Sequence, residues 1–205
     1  MTTRELLPHL LSASRPAIGF VLLASIPARF QSPWVLVAVL AACLSDWLDG
    51  RLARRAGSAS TSGRLVDNFC DFFFLLFVFA CFARGQVWSP PFWGRLAHHW
   101  SGANALPVYA LLGSFGSYAL RLVADFARGR EPMRSRHGHR AGISNYGLAI
   151  AGAVELLPGV QLGPWILEPA MVGVALLNAL AVVENLRLLV LPGPRATPPD
   201  GAGAA

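Results

Sequence analysis

The chain has 205 residues, of which 54% are hydrophobic and only 14% are charged. A soluble domain carries roughly a quarter charged residues, so this composition excludes an ordinary soluble protein and indicates a one-domain membrane protein. The net charge of +6 rests on arginine alone, because the sequence contains no lysine. Since the arginines cluster between apolar runs, we attribute this charge to membrane topology and expect no nucleic-acid partner.

The chain begins with a short mixed segment that leads into an apolar run. We predict an interfacial helix at the membrane surface over residues 1–11 and a first membrane span over about 12–28. Arg15 lies at the inner end of this span, where its position allows two interpretations. The side chain either faces a functional site or reaches the lipid headgroups as a positive anchor.

Two further apolar runs flank the most polar stretch of the first half of the chain. The second span is predicted over about 34–46 and the third over about 63–82. The connection between them includes 57–62, which holds only small residues. Two helices joined in this way would bring the end of one span close to the start of the next.

Four of the eleven acidic residues lie in this region: Asp46, Asp49, Asp67 and Asp71. Spacings of three and four residues place the members of each pair on one helix face. A carboxylate at the edge of a bilayer is costly unless it is paired or bound to a cation. Converging carboxylates suit hard divalent cations such as Mg²⁺ or Mn²⁺, and two such ions can clamp a diphosphate during in-line displacement.

Small residues and one arginine separate the two acidic pairs. Gly50 and Ala53 leave one face of the second helix bare, so that a ligand can lie close against it. Arg54 offers a planar fork for phosphate oxygens, and Gly63 lies one turn before the second acidic pair. These residues extend the predicted metal site into a site for a phosphate-containing ligand.

The combined pattern is Asp46-x2-Asp49-Gly50-x2-Ala53-Arg54-x8-Gly63-x3-Asp67-x3-Asp71. It resembles the signature of the CDP-alcohol phosphatidyltransferases, also called CDP-alcohol phosphotransferases, with all eight fixed positions present at the family spacing. Near the N-terminus, Pro8, Ser12 and Arg15 are similar to a second pattern of this family, although His9 stands where asparagine is usual.

The resemblance implies an integral membrane enzyme that transfers a phosphatidyl or similar group from a CDP-linked donor to an alcohol, with release of CMP. It implies that Asp46, Asp49 and Asp67 hold two divalent cations, Mg²⁺ or Mn²⁺. Asp71 would contact a metal and act as the base for the acceptor hydroxyl. The cytidine diphosphate site would be lined by the remaining signature residues, Gly50, Ala53, Arg54 and Gly63. Family members are usually homodimers, so we expect the same here.

The fourth span is predicted over about 106–126, and the most basic stretch of the chain, 128–140, follows it. One interpretation of this stretch is a cytoplasmic loop lying on anionic lipid. The other is that some arginines bind a phosphate on the acceptor alcohol, for which the candidates are Arg121, Arg128 and Arg140. The pair Arg121 and Asp125, four residues apart, forms either a helix-surface ion pair or part of the site.

The last two spans are predicted over about 143–157 and 166–191, which completes a catalytic domain over 12–191. Asn145 and Tyr146 either line the cavity or anchor the helix at the interface. The proline- and glycine-rich tail 192–205 is predicted to be disordered. The connections between spans two and three and between spans four and five hold eight of the seventeen arginines, whereas the outer connections hold three. Both termini and the active site are therefore predicted on the cytoplasmic side.

The sequence therefore predicts an all-α polytopic membrane protein, a bundle of six transmembrane helices, in a bacterial inner membrane. The predicted function is phospholipid synthesis from CDP-diacylglycerol and a small polar alcohol. The basic stretch favours glycerol 3-phosphate, as in a phosphatidylglycerophosphate-synthase-like member. One alternative is a CDP-choline or CDP-ethanolamine type transferase that uses diacylglycerol, and another is a small ion-coupled transporter. The sequence leaves the acceptor and the choice of metal open.

Overall fold

A computed structural model describes residues 3–25, 33–55, 61–84, 87, 105–130 and 135–191. Within these ranges the chain forms six helices and no β-strand, which confirms the predicted all-α fold. In chain order they are α1 (Thr3–Ser25), α2 (Pro33–Arg55), α3 (Thr61–Arg84), α4 (Leu106–Ala127), α5 (Arg136–Glu155) and α6 (Pro164–Val190).

Three of the described helices are long and apolar enough to cross a membrane: Gly63–Arg84, Leu106–Ala127 and Trp165–Val190. A shorter apolar segment, Leu10–Ala24, lies within α1. The ends of α2 and α5 instead carry the polar residues of the predicted site, which lowers their mean hydropathy. The protein is thus a polytopic membrane protein, in agreement with the composition.

The predicted division of the chain has boundaries after residues 11 and 191. Helix α1 runs without a break across residue 11, so the segment predicted to be interfacial and the first span belong to one helix. The position of that segment relative to the bilayer stays a prediction. The tail 192–205 lies outside the described residues.

Helix α1 packs against both α2 and α3, and α2 packs on α5. Helix α3 also contacts α4 and α5, while α6 packs on α4 and α5. The approach of α1 to α3 is close, since a Cβ atom on Gly19 would lie 3.1 Å from the carbonyl oxygen of Phe74. Any larger residue at position 19 would therefore separate these two helices.

The apolar core is centred on α3. Phe74, Phe79 and Phe82 are fully buried there, against Val39 of α2 and Leu148 of α5, among others. Helix α5 comes close enough to α3 that a Cβ on residue 152, a glycine, would overlap the ring of Phe82 at 2.6 Å. This packing fixes α1, α2 and α5 around α3, whose N-terminal half carries Asp67 and Asp71.

The N-terminus of α5 is held by a side chain of another helix. Ser135 caps α5 by accepting a hydrogen bond from the backbone N–H of Gly138 at 2.8 Å. Glu184 of α6 accepts a hydrogen bond from the backbone N–H of His137 at 2.8 Å. A carboxylate is favourable at this positive end of a helix, so α6 sets the position of α5 along the bundle.

Candidate active site

The four signature aspartates converge on a single guanidinium group. Arg15 of α1 is completely buried, and its Nη1 lies 2.9 Å from Oδ1 of Asp46 and also pairs with Oδ1 of Asp71. Its Nη2 lies 2.7 Å from Oδ2 of Asp49 and 3.7 Å from Oδ1 of Asp67. Each nitrogen therefore bridges one carboxylate of α2 and one of α3. We call Asp46, Asp49, Asp67 and Asp71 the aspartate cluster.

This arrangement follows from the packing of α1 against both helices. Nη1 of Arg15 contacts Asp46 and Asp71, which lie farther from the connection between α2 and α3. Nη2 contacts Asp49 and Asp67, which lie nearer to it. The two acidic pairs predicted from the sequence are thus brought together as expected, but through a third helix. The fork of the guanidinium suits this bridging, because its donors lie in one plane.

Two hydroxyl groups, those of Ser12 and Tyr146, also contact the cluster. Oγ of Ser12, one turn before Arg15, lies 2.9 Å from Oδ2 of Asp49 and 2.5 Å from Oδ1 of Asp67. A hydroxyl has one proton, so it donates to one of these oxygens at a time. Oη of Tyr146 on α5 donates a hydrogen bond of 2.6 Å to Oδ1 of Asp71.

The four side chains of the cluster differ in solvent exposure. The Asp49 side chain is 3% exposed, whereas Asp71 is 24%, Asp67 37% and Asp46 47% exposed. The cluster therefore has a closed side at Asp49 and an open side from which a water-soluble ligand can approach. Asp71 lies between the two, within reach of a ligand and still held by Arg15 and Tyr146.

The cluster carries more negative than positive charge. Among the described contacts of the cluster, one guanidinium faces four carboxylates, an excess of three formal negative charges. Within the described ranges, no group of three or more histidine, cysteine, aspartate or glutamate side chains is arranged as a metal site. The carboxylate oxygens surround Arg15 instead.

The remaining signature positions lie toward the ends of α2 and α3 that the connection between these two helices joins. Gly50 directly follows Asp49, and Gly63 is in the first turn of α3; both are half-buried. Ala53 and Arg54 belong to the last turn of α2, and their side chains lie outside the described part of the structure.

A second polar group adjoins the cluster on α4. Nδ2 of Asn68, the residue after Asp67, donates a hydrogen bond of 3.1 Å to Oη of Tyr118. The guanidinium carbon of Arg121 lies 5.8 Å from the ring centroid of Tyr118. Arg121 itself is 2% exposed, and its Nε lies 3.9 Å from Oδ2 of Asp125. The predicted pair is thus a buried one, connected through Tyr118 to the start of α3.

The other two predicted acceptor residues lie apart from this group. Arg128 is exposed, and its Nη1 donates a hydrogen bond of 2.7 Å to the carbonyl oxygen of Leu189 at the end of α6. Arg140 is exposed in the second turn of α5. Neither contacts the aspartate cluster within the residues that the structure describes.

Sequence reasoning left the role of Arg15 open and did not foresee its central position. Its complete burial rules out the interpretation as a headgroup anchor. The spacing of Ser12 and Arg15, three residues apart, was the available signal, because it places both on one face of α1. The contact of Tyr146 with Asp71 had no comparable signal, since nothing in the sequence gives the rotation of α5 against α3.

Comparison with known proteins identifies one family. The family model for CDP-alcohol phosphatidyltransferase matches residues 5–179, a range that contains Ser12, Arg15, the whole signature and Tyr146. No curated protein and no solved structure gives a significant match. Because the family model covers most of the chain, the protein belongs to the CDP-alcohol phosphatidyltransferase family.

Proposed function

We propose that this membrane phosphotransferase synthesises a phospholipid by moving a phosphatidyl group from CDP-diacylglycerol to an alcohol, with release of CMP. The family supports transfer of a phosphatidyl group from a CDP-alcohol donor. The observation that carries the proposal is the convergence of the aspartate cluster between α2 and α3, beside an open face. A transporter would instead need ionisable groups spread along a path through the membrane.

The family uses divalent metal ions, and the residues present fit such an ion in kind and in charge. All four side chains of the aspartate cluster are hard oxygen donors, and their excess negative charge calls for cations. We therefore propose Asp46, Asp49, Asp67 and Asp71 as the ligands of two divalent cations, Mg²⁺ or Mn²⁺. When bound, such ions neutralise the diphosphate of the donor.

Asp71 is the proposed general base. Arg15 and Tyr146 both bind its Oδ1, so its other oxygen faces no donor among the described residues and can accept the proton of the acceptor hydroxyl. The alcohol oxygen then attacks the lipid-bearing phosphorus. The bond between this phosphorus and the bridging oxygen of CMP breaks, and CMP leaves with the electron pair.

The donor nucleotide is proposed to lie along the ends of α2 and α3. Gly50 and Gly63 have no side chain there, which lets a ligand approach the backbone closely. Arg54 is proposed to bind a phosphate, and Ala53 to line the same face.

For the acceptor we propose a phosphorylated alcohol such as glycerol 3-phosphate. Of the three predicted acceptor arginines, Arg121 has the strongest support, because its contact with Tyr118 joins it to Asn68 beside the cluster. A guanidinium binds phosphate with two parallel hydrogen bonds. Arg128 and Arg140 are exposed, and we propose them for the first encounter with the anionic acceptor.

We further propose a bacterial inner-membrane location with the active site and both termini on the cytoplasmic side, and a homodimeric state. The arginine distribution supports this orientation. A cytoplasmic site allows a water-soluble acceptor to reach a lipid-embedded donor.

The test is release of CMP from CDP-diacylglycerol by the purified protein with Mg²⁺ or Mn²⁺. The panel of acceptors contains glycerol 3-phosphate, inositol phosphate, inositol, serine and no alcohol. Release that depends on both metal and one alcohol establishes the reaction and names the product. Asp71→Asn is expected to lose activity while it still binds CDP, whereas the control Glu155→Gln, at the far end of α5, is expected to keep it. Full activity in Asp71→Asn would overturn the base assignment.

A further inference from the structure

We propose that Arg15 competes with divalent cations for the aspartate cluster, so that a cation binds only as the guanidinium withdraws. This inference rests on the proposed function, because it takes the cluster as the metal site. It assigns to Arg15 the role of setting metal affinity, beyond that of holding helices together.

The contacts of Arg15 are the first argument. Its two terminal nitrogens bind one oxygen of every aspartate in the cluster. A divalent cation of the Mg²⁺ type also binds carboxylate oxygens and would draw on the same four carboxylates. Two positive groups at such short range repel each other strongly in a buried site. The guanidinium and a cation therefore cannot both keep a full share of the cluster.

The charge balance is the second argument. One guanidinium is too little to neutralise four carboxylates, so the cluster still attracts further cations. Arg15 thus lowers the repulsion between the carboxylates without removing their affinity for metal. A group with this property stabilises the contacts between α1, α2 and α3 and weakens metal binding at the same carboxylates.

The packing of α1 decides how Arg15 can withdraw. Gly19, one turn beyond Arg15, lies so close to α3 that a Cβ there would be 3.1 Å from the carbonyl oxygen of Phe74. Ser12, one turn before, is tied to Asp49 and Asp67. The helix is therefore held on both sides of Arg15, and withdrawal takes place by rotation of its long side chain.

The experiment measures binding of Mn²⁺ alone to the full chain in detergent, without nucleotide, from the electron paramagnetic resonance signal of free Mn²⁺. Arg15→Gln keeps polar contacts but removes the charge. We expect it to bind Mn²⁺ about tenfold more tightly than the unmodified protein, since tenfold corresponds to only a small part of a buried charge interaction. Arg15→Lys, a compact charge that reaches fewer of the carboxylates, should lie between the two.

The matched control is Arg51→Gln. Arg51 is exposed on α2, two residues after Asp49, and its guanidinium lies over the ring of Trp47 at 5.0 Å. This variant removes the same charge from the same neighbourhood without a contact to the cluster. We expect its Mn²⁺ affinity to change less than twofold, because interactions between exposed charges are weak.

The outcomes separate the two proposals. Equal or weaker Mn²⁺ binding in Arg15→Gln, with binding intact in the unmodified protein, overturns the competition and leaves the metal site standing. Absence of Mn²⁺ binding in every variant overturns both. An equal gain in Arg51→Gln would show that general electrostatics, and not displacement of Arg15, governs affinity.

A second measurement follows Arg15 in the unmodified protein and needs a variant only to assign its signal. In protein labelled with ¹⁵N-arginine, the Nε–H signal of Arg15 is identified by its loss in Arg15→Lys. Addition of Mg²⁺ to the unmodified protein should shift this signal, while that of Arg51 stays in place. An Arg15 signal that does not respond at Mg²⁺ concentrations which saturate the site would contradict withdrawal.

Discussion

In the described part of the bundle, two sets of polar side chains between helices differ in charge balance. The aspartate cluster surrounds one guanidinium with four carboxylates. The second set, which we call the α6 polar group, consists of three separate contacts: Arg121 with Asp125 within α4, Asn185 of α6 with Ser117 of α4, and Asn178 of α6 with Asn145 of α5. It pairs one arginine with one aspartate and otherwise consists of neutral side chains.

The comparison separates function from structural support. Buried neutral groups that satisfy one another's hydrogen bonds add modestly to helix association. Unbalanced buried charge is costly for folding and persists where it performs chemistry. The aspartate cluster should therefore tolerate loss of a charge in folding but not in activity. The α6 polar group should show the opposite behaviour, apart from Arg121, which we propose as an acceptor-phosphate residue.

The largest expected effect is that of Asp46→Asn on activity. Asp46 is the most exposed member of the cluster, so the variant keeps the packing and removes one proposed metal ligand. CMP release should fall on the order of a hundredfold or more, the scale on which groups that stabilise developing charge act. The unfolding temperature without added metal should stay the same or rise, because repulsion among the carboxylates is relieved.

Thermal unfolding and CMP release on the same preparation check this prediction. Asn68→Asp, which adds a charge beside Asp67, serves as the reverse control and should lower the unfolding temperature. A marked loss of stability in Asp46→Asn would mean that the ion pair with Arg15, and not charge repulsion, dominates in the folded protein.

The second prediction concerns the balanced pair of the α6 polar group. Asp125→Asn removes the carboxylate charge that lies 3.9 Å from Nε of the buried Arg121, which should cost about 1–3 kcal/mol of stability. Chemical denaturation in detergent measures this loss. Metal affinity should remain unchanged, because Asp125 does not belong to the cluster. A change in Mn²⁺ affinity larger than the change in stability would place Asp125 within the active site.

The two regions also differ in how much of their structure could be predicted from the sequence. The aspartates were predictable because their spacing is local: three and four residues place each pair on one face of a helix. The membrane helices were predictable from apolar runs of sufficient length. Arg15 and Tyr146 were not, because their roles depend on which helices are neighbours and how each is rotated. The buried pair of Asn145 and Asn178, 33 residues apart, was unpredictable for the same reason.

A third and smaller effect is expected for Tyr146→Phe. This variant removes only the hydrogen bond of 2.6 Å to Oδ1 of Asp71, and hydrogen bonds to charged groups contribute about 1.5–3 kcal/mol. We expect kcat to fall roughly tenfold with little change in KM for the acceptor, since the bond orients Asp71 and does not bind substrate. Tyr109→Phe on the exposed face of α4 is the control. An effect on KM alone would indicate that Tyr146 contacts the acceptor instead.

The smallest effect tests the neutral part of the α6 polar group. Nδ2 of Asn178 donates to Oδ1 of Asn145 at 2.9 Å, and both side chains are buried. Asn178→Leu leaves the amide of Asn145 without this partner and should destabilise the protein by about 1 kcal/mol. The double variant Asn145→Leu and Asn178→Leu removes both polar groups and should recover part of that loss, because two apolar side chains leave nothing unsatisfied. Both variants should keep CMP release per folded molecule. Reduced activity in the double variant at full stability would show that this neutral pair takes part in the reaction. The distinction between the two groups would then rest on position and not on charge.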